Sequence, residues 1–377
     1  MQSNNKLRMA IRATAAAAML GAASQAGAVN FTAGDYDMAV YGYARFNASY
    51  DIDENVSSST RSFNYNAINV GAAEDNEATG YFGADAFQSR IGVKATSPEG
   101  VMVNIEGDFR GGGGGTLRLR HAYGSYKSVL AGQTWSNFTS FVGNTSTLDF
   151  DSLPGLAGYQ SRTAQIRYTA GPLSISAEDP QNSITNAGAA AKDGMPALTA
   201  RIEDSAGGFS YSAAVLAQML GYDTGTDDES EFGFATFVAG KMAITDMITV
   251  QGTLSYSDGA NSYLYRSSTA SAYVDGTGSI ETISGYGGSI GTGINLGGGR
   301  SINIGYGTVM VDIDDAVTDG ALTGGDTESI SALMANYKWT PVKNVMMGVE
   351  AQYGQRETQN GDDGDASRLL FAAQYNF

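Results

Sequence analysis

The 377-residue chain carries 39 acidic against 22 basic side chains, a formal charge of −17, and no cysteine. That charge excludes nucleic acid as a partner, since phosphate binding needs the opposite sign. The lack of cysteine excludes a disulfide framework and thiolate chemistry. Glycine (50 residues) stands at about twice its usual share, tyrosine is abundant, and the six prolines lie between strand-like runs or at their edges.

The chain begins with a targeting signature. Lys6, Arg8 and Arg12 precede a short apolar run, Ala13 to Ala23, and then the small-x-small pattern Ala26-Gly27-Ala28. These predict a secretory leader over residues 1–28, cut after Ala28 with Ala26 as the weaker site, and one domain over 29–377. Removing three basic residues leaves 19 against 39 acidic, a mature charge of about −20. The leader's apolar run is too short to span a bilayer as a helix, and no other stretch approaches about 20 apolar residues. Any membrane crossing must therefore be made by strands.

Period-two alternation then recurs to the end of the chain. The first run, Ala39 to Ile52, sets Val40, Ala44, Phe46, Ala48 and Tyr50 against Arg45, Asn47, Ser49 and Asp51. The second sets Phe87, Ile91, Val93 and Ala95 against Gln88, Arg90 and Lys94; the third sets Val101, Val103, Ile105 and Phe109 against Asn104, Glu106, Asp108 and Arg110. Phe209–Ser212, Ile248–Gln251 and Ile302–Tyr306 continue the pattern. The last run alternates Leu369, Phe371, Ala373, Tyr375 and Phe377 with Arg368, Gln374 and Asn376 and closes on an aromatic residue, as a strand ending at a membrane's aromatic girdle would.

Short links at Ser97–Gly100, Ala170–Pro172, Ala206–Gly208 and Thr340–Val342 alternate with long ones at Asp53–Ala86, Asn137–Arg162, Asp258–Glu281 and Asp312–Ser329. Backbone groups in lipid must all be paired, so such strands close on themselves. The expected fold is all-β: a transmembrane antiparallel β-barrel of about sixteen strands, with short periplasmic turns and long extracellular loops. The competing reading, a secreted glycine-rich solenoid or adhesin without transport, lacks a fixed repeat of about 20–50 residues and leaves the loop rhythm unexplained.

The polar parity assigns an inner wall. Arg45, Arg90, Lys94, Arg110, Arg118, Arg120, Arg167, Arg201, Lys241, Lys338, Arg356 and Arg368 share it with fewer acids: Asp51, Glu106, Asp108, Glu178, Glu203 and Glu350. The loops carry the reverse sign in Asp223–Glu231, Asp312–Asp315 and Asp362–Asp365. Inward arginines are where any barrel can keep charge wet. The sharper reading nominates Arg45, Arg90, Lys94, Arg118, Arg120 and Arg167 as a constriction whose focused field favours anions. His121, the one histidine, counts onto the outward parity, away from any polar cleft, and no enzymatic activity is expected. The run Asn360–Asp365 hints at calcium, but its spacing does not complete a calcium loop and a solvated loop is the simpler reading. No cofactor is expected.

The segments Leu117–Tyr126 and Leu130–Phe138 resemble Gram-negative outer-membrane porins, and Gly132-Gln133-Thr134-Trp135-Ser136-Asn137-Phe138 is most similar to the DcaP-like dicarboxylate porins. Tyr41–Arg45 and Gln374–Phe377 fit the same family. The coiled-coil extension of some relatives has no counterpart here; a short linker, Val29 to Met38, precedes the first strand. The resemblance implies a homotrimer in the outer membrane of a Gram-negative bacterium, with water-filled pores passing small anionic solutes such as dicarboxylates. It implies that the third long loop, Asn137–Arg162, folds inward and presents Asp149 and Asp151 to the arginines; the alternative is a loop packed on a neighbouring protomer. Membrane lipid and lipopolysaccharide, bridged by divalent cations, complete the expected partners.

Overall fold

The structure, a computed structural model, describes residues 28–58 and 60–377. All but the last residue of the expected leader lies outside the described residues. Alternation of small or polar with large apolar residues makes each run an amphipathic strand, and sixteen of them form one antiparallel wall. They are β1 (Tyr36–Asp51), β2 (in two pieces, Tyr81–Asp85 and Arg90–Thr96), β3 (Met102–Gly111), β4 (Thr116–Tyr126), β5 (Val129–Trp135), β6 (Arg162–Ala170), β7 (Leu173–Glu178) and β8 (Ala197–Ala206). The second half comprises β9 (Phe209–Asp223), β10 (Asp228–Ala243), β11 (Ile248–Asp258), β12 (Ser284–Gly297), β13 (Arg300–Val311), β14 (Thr327–Val342), β15 (Val345–Thr358) and β16 (Asp363–Asn376). Pairing of β16 with β1, from Asn376 opposite Tyr43 to Arg368 opposite Asp51, closes the barrel.

The barrel is inside-out relative to a water-soluble domain. On β1, Arg45, Asn47, Ser49 and Asp51 are buried while Phe46 and Tyr50 are exposed, and Ile105, Leu254 and Val349 likewise face outward. A lipid-facing surface requires that arrangement.

Four expectations need correction. The segment before the first strand is not a plain linker: Val29–Ala33 is a strand that folds back as a hairpin onto Tyr36–Val40. The first long loop ends at Gly80 rather than Ala86, because Tyr81–Asp85 pairs with Asn47–Asp51; the chain then breaks over residues 86–89, where Phe87 packs against the Gly114–Gly115 turn. Pro341 lies inside β14, and the turn is at residues 343–344. Finally, the long-loop side is not uniformly long: residues 112–115, 224–227 and 359–362 are tight connections between extended hairpins.

The remaining loops fill much of one end of the barrel. Val56, Phe63, Tyr65 and Ile68 of the first loop, Leu153 and Leu156 of the third, and Leu264 and Tyr273 of the 259–283 loop share an apolar core with inward residues of β13 and β14 and with a short helix, Asp314–Thr318. A three-stranded inner sheet joins Ile184–Thr185, Ala272–Val274 and Ile280–Thr282.

Candidate pore constriction

The third loop, residues 136–161, enters the barrel because one side of the wall has room for it. Inward positions of β12, β13 and β15 are repeatedly glycine: Gly287, Gly291, Gly305, Gly307 and Gly348. A Cβ at Gly348 would stand 2.9 Å from Leu148 side-chain atoms, one at Gly305 would stand 2.8 Å from Leu153, and one at Gly307 would overlap the Pro154 carbonyl oxygen. Gly155, at φ +69°, nestles against the backbone of Gly288 and Thr308, where any side chain would both collide and be strained. Side chains absent from the wall thus form the groove that seats the loop.

Hydrogen bonds then fix it. Glu350 accepts from the backbone N–H groups of Leu148 (2.6 Å) and Asp149 (3.0 Å), Arg45 donates to the Leu148 carbonyl, and Lys338 donates to the Thr147 carbonyl (2.7 Å). At the loop's start, Glu178 accepts from Ser136 Oγ and the Asn137 N–H, both at 2.6 Å. The expected inward fold of this loop therefore holds, and the protomer-packing alternative does not.

The opposite wall bears the charge. Arg118 makes a two-pronged contact with Asp108 (3.0 and 2.8 Å), and Arg120 bridges Asp108 (3.0 Å) and Glu106 (2.7 Å). Arg90 lies over the Tyr43 ring and 3.5 Å from Glu106; Arg110 reaches Asp151 of the loop at 3.3 Å with both terminal nitrogens. Arg162 stacks 4.5 Å over Trp135, makes no ion pair among the described residues, and leaves buried Nη1 without a partner. Four guanidiniums on this wall (Arg90, Arg110, Arg118 and Arg120) share three carboxylates, Glu106, Asp108 and the loop's Asp151, and Arg162 adds a fifth with none. The loop tip meets them through Phe150, whose ring lies under Arg110 (4.4 Å) and Arg120 (5.4 Å).

The other nominated residues divide. Arg45 is buried under the loop, bonded to Asn47 and Gln374. Arg167 donates to Gln165 and to the Trp135 carbonyl, one step nearer the turns. Lys94 is half-buried on the same parity. Asp151 faces arginines as expected: burial pushes its carboxyl up, but Arg110 and Arg266 outweigh this and hold it below the ordinary carboxylate range. Asp149 does not. It is buried and accepts from the N–H groups of Phe63, Asp151 and Ser152, so it organises backbone rather than pairing with a guanidinium.

His121 is also placed differently. A β-bulge sets His121 opposite Glu106 but Leu119 opposite Gly107, so Arg120 and His121 both point inward. The His121 ring is buried and hydrogen-bonds Thr134 Oγ1 at 3.0 Å. Counting parity through an unrecognised bulge gave the opposite face. Arg162, Trp135 and Phe150 were not nominated from the sequence, because Arg162 sits at the strand's first residue and reads as loop. The glycine row did carry a signal: Gly285-x-Gly287, Gly291-x-Gly293 and Gly305-x-Gly307 keep one parity. Among the described residues no group of three or more histidine, aspartate or glutamate side chains is arranged to hold a metal ion.

The family described as DcaP outer membrane protein matches residues 20–377. The crystal structure of the outer membrane channel DcaP of Acinetobacter baumannii superposes with a TM-score of 0.79 at 30% identity, covering 93% of this chain and all of that one. At the level of fold alone, an anion-selective porin from Comamonas acidovorans (TM-score 0.57, 10% identity, 91% of this chain and 100% of that one) has the same architecture. So does the trimer form of OmpT from Vibrio cholerae (TM-score 0.56, 13% identity, 91% and 99%). A search of curated proteins returned no match. This chain, an outer-membrane barrel with a porin's architecture, belongs to the DcaP outer membrane protein family.

Proposed function

We propose that the protein is a water-filled diffusion channel that favours small anions, dicarboxylates among them, and whose constriction lies between the third loop and the β2–β6 wall. The excess of guanidinium over carboxylate on that wall carries the reading, with Arg162 its sharpest element. Stacking on Trp135 spends one face of the guanidinium, and with no ion pair among the described residues its charge adds undiminished to the field of the lumen. Arg45, Arg90, Lys94, Arg118, Arg120 and Arg167 supply the surrounding field, and Asp151 narrows it from the loop side. Asp149 acts there only by shaping the loop. A fixed positive field in a low-dielectric channel raises local anion concentration even though the whole chain is acidic.

The same reading makes the protein a homotrimer in lipid and lipopolysaccharide, by likeness to the trimeric neighbour and by the apolar outer face. The fold supports diffusion rather than catalysis. Swelling of liposomes carrying the purified protein tests the proposal. A four-carbon dicarboxylate should enter faster than a diamine of the same length; equal rates, or a faster diamine, would refute the anion preference.

A further inference from the structure

The two inner loops are not merely packed in the barrel; they are fastened in series. Glu350, on β15 and buried, binds two consecutive backbone N–H groups of the third loop, at Leu148 and Asp149. Its carboxylate also receives Asn336 Nδ2 (2.8 Å) and Gln352 Nε2 (2.7 Å), which hold it upright on the wall. The neighbouring carbonyls, Thr147 and Leu148, are taken by Lys338 and Arg45. Asp149, held by that grip, passes it on: its Oδ2 accepts from the Phe63 N–H of the first loop at 2.7 Å. Phe63 in turn stacks on Tyr65 with ring centroids 4.8 Å apart, over Gly354, where a Cβ would stand 2.9 Å from the Phe63 ring.

We propose that Glu350 is the positioning residue of the constriction, and that Glu350 and Asp149 form a two-step clasp: wall to third loop, third loop to first loop. The contact on the third loop is wholly with backbone, so it fixes where the loop runs whatever side chains the tip presents. The inference rests on the reading of this loop as one edge of the constriction, while the sign of the preferred ion is independent of it.

The chain contains no cysteine, which makes a direct test available. Glu350→Gln, confirmed as folded by its heat-modifiable gel mobility, replaces a two-fold acceptor by a group that offers one oxygen and one N–H₂. Single-channel records should show a displaced-loop state of higher conductance, its occupancy raised roughly tenfold or more by the loss of one charge-assisted hydrogen bond. Adding Leu148→Cys with Gly348→Cys, whose side chains would meet where Leu148 Cγ lies 3.3 Å from an ideal Cβ, should restore quiet wild-type conductance when oxidised and release it when reduced. Wild-type records from Glu350→Gln, or excess noise that persists after oxidation, would overturn the proposal.

Asp149→Asn tests the second step while leaving every wall residue in place, though the same oxygen's weaker contact from Gln352 Nε2 (3.3 Å) is lost with it. It should expose the first loop around Phe63 to added protease while leaving the third loop protected; unchanged protection would overturn that step and stands even if Glu350→Gln fails to fold. Reversal potential reports the ion preference separately. Loss of anion preference with a working clasp therefore fails the functional reading alone.

Discussion

The two halves of the barrel wall hold the same loop by opposite means. On β12, β13 and β15 several inward positions are glycines, and there the loop sinks against bare backbone, where Leu148, Leu153 and Pro154 fill space the strands leave empty. On β2–β6 the inward positions carry a cluster of arginines, and the loop stops at arm's length, meeting Arg110 and Arg120 through Phe150 and Asp151. Where the wall lacks side chains the loop sinks in, and where it carries long charged ones the loop stands off. The proposed constriction falls between them.

The largest effect should come from the charged half. Asp108 is fully buried between Arg118 and Arg120, so Asp108→Ala strands buried guanidinium charge and should cost roughly 3–5 kcal/mol. Thermal unfolding in detergent would show it. A loss under about 1 kcal/mol would mean that water already screens these pairs and that the wall is softer than described.

The glycine half should respond to bulk, not charge. Gly307→Val places methyls on the Pro154 carbonyl and should cost about 1–3 kcal/mol while raising conductance as the loop is pushed out. Gly240→Val on the lipid face, where an added Cβ finds its nearest neighbour at 3.7 Å, should do neither. Equal effects from the two would dissolve the distinction between the walls.

The smallest effect concerns the first loop's far end. Burial, then Glu77, Glu74 and Asp53, raise the Glu54 carboxyl to about 7 despite two contacts from the Asn69 N–H. A raised folded pKa means that the folded loop binds the proton more tightly than the unfolded chain. Its stabilising contribution is present below about 4.5, falls as pH rises through about 7, and then levels off. Protease protection of this loop should be greater at pH 5 than at pH 8, and Glu54→Gln should flatten the difference.

Strand number, parity and closure were legible because lipid demands an unbroken period of two, and Phe46, Ile105, Leu254 and Val349 all face outward. Inward arginines were legible for the same reason. His121 was not, since one bulge reverses every later parity on its strand until it is recognised. Nor was the work of Asp149 and Glu350: both bind backbone N–H groups, and no side-chain pattern in the loop reveals that its amides are the partners. The tight connections at residues 224–227 and 359–362 escaped because Asp228–Glu231 and Asp363–Asp365, which read as solvated acidic loop, belong to strands that extend past the apolar alternation.

The central claim, that the guanidinium-rich wall sets the field at the constriction against the acidic whole, is tested most directly by zero-current potential across a bilayer in a potassium chloride gradient. Beyond about 8–10 Å the exposed acidic loops are screened, whereas Arg162 and its neighbours line the proposed constriction. Wild type should be anion-selective, and Arg162→Glu, which changes the local charge by two without touching an ion pair, should shift the potential towards cations with the pore intact. A wild-type channel that already prefers cations, or a variant whose potential is unmoved, would contradict the account.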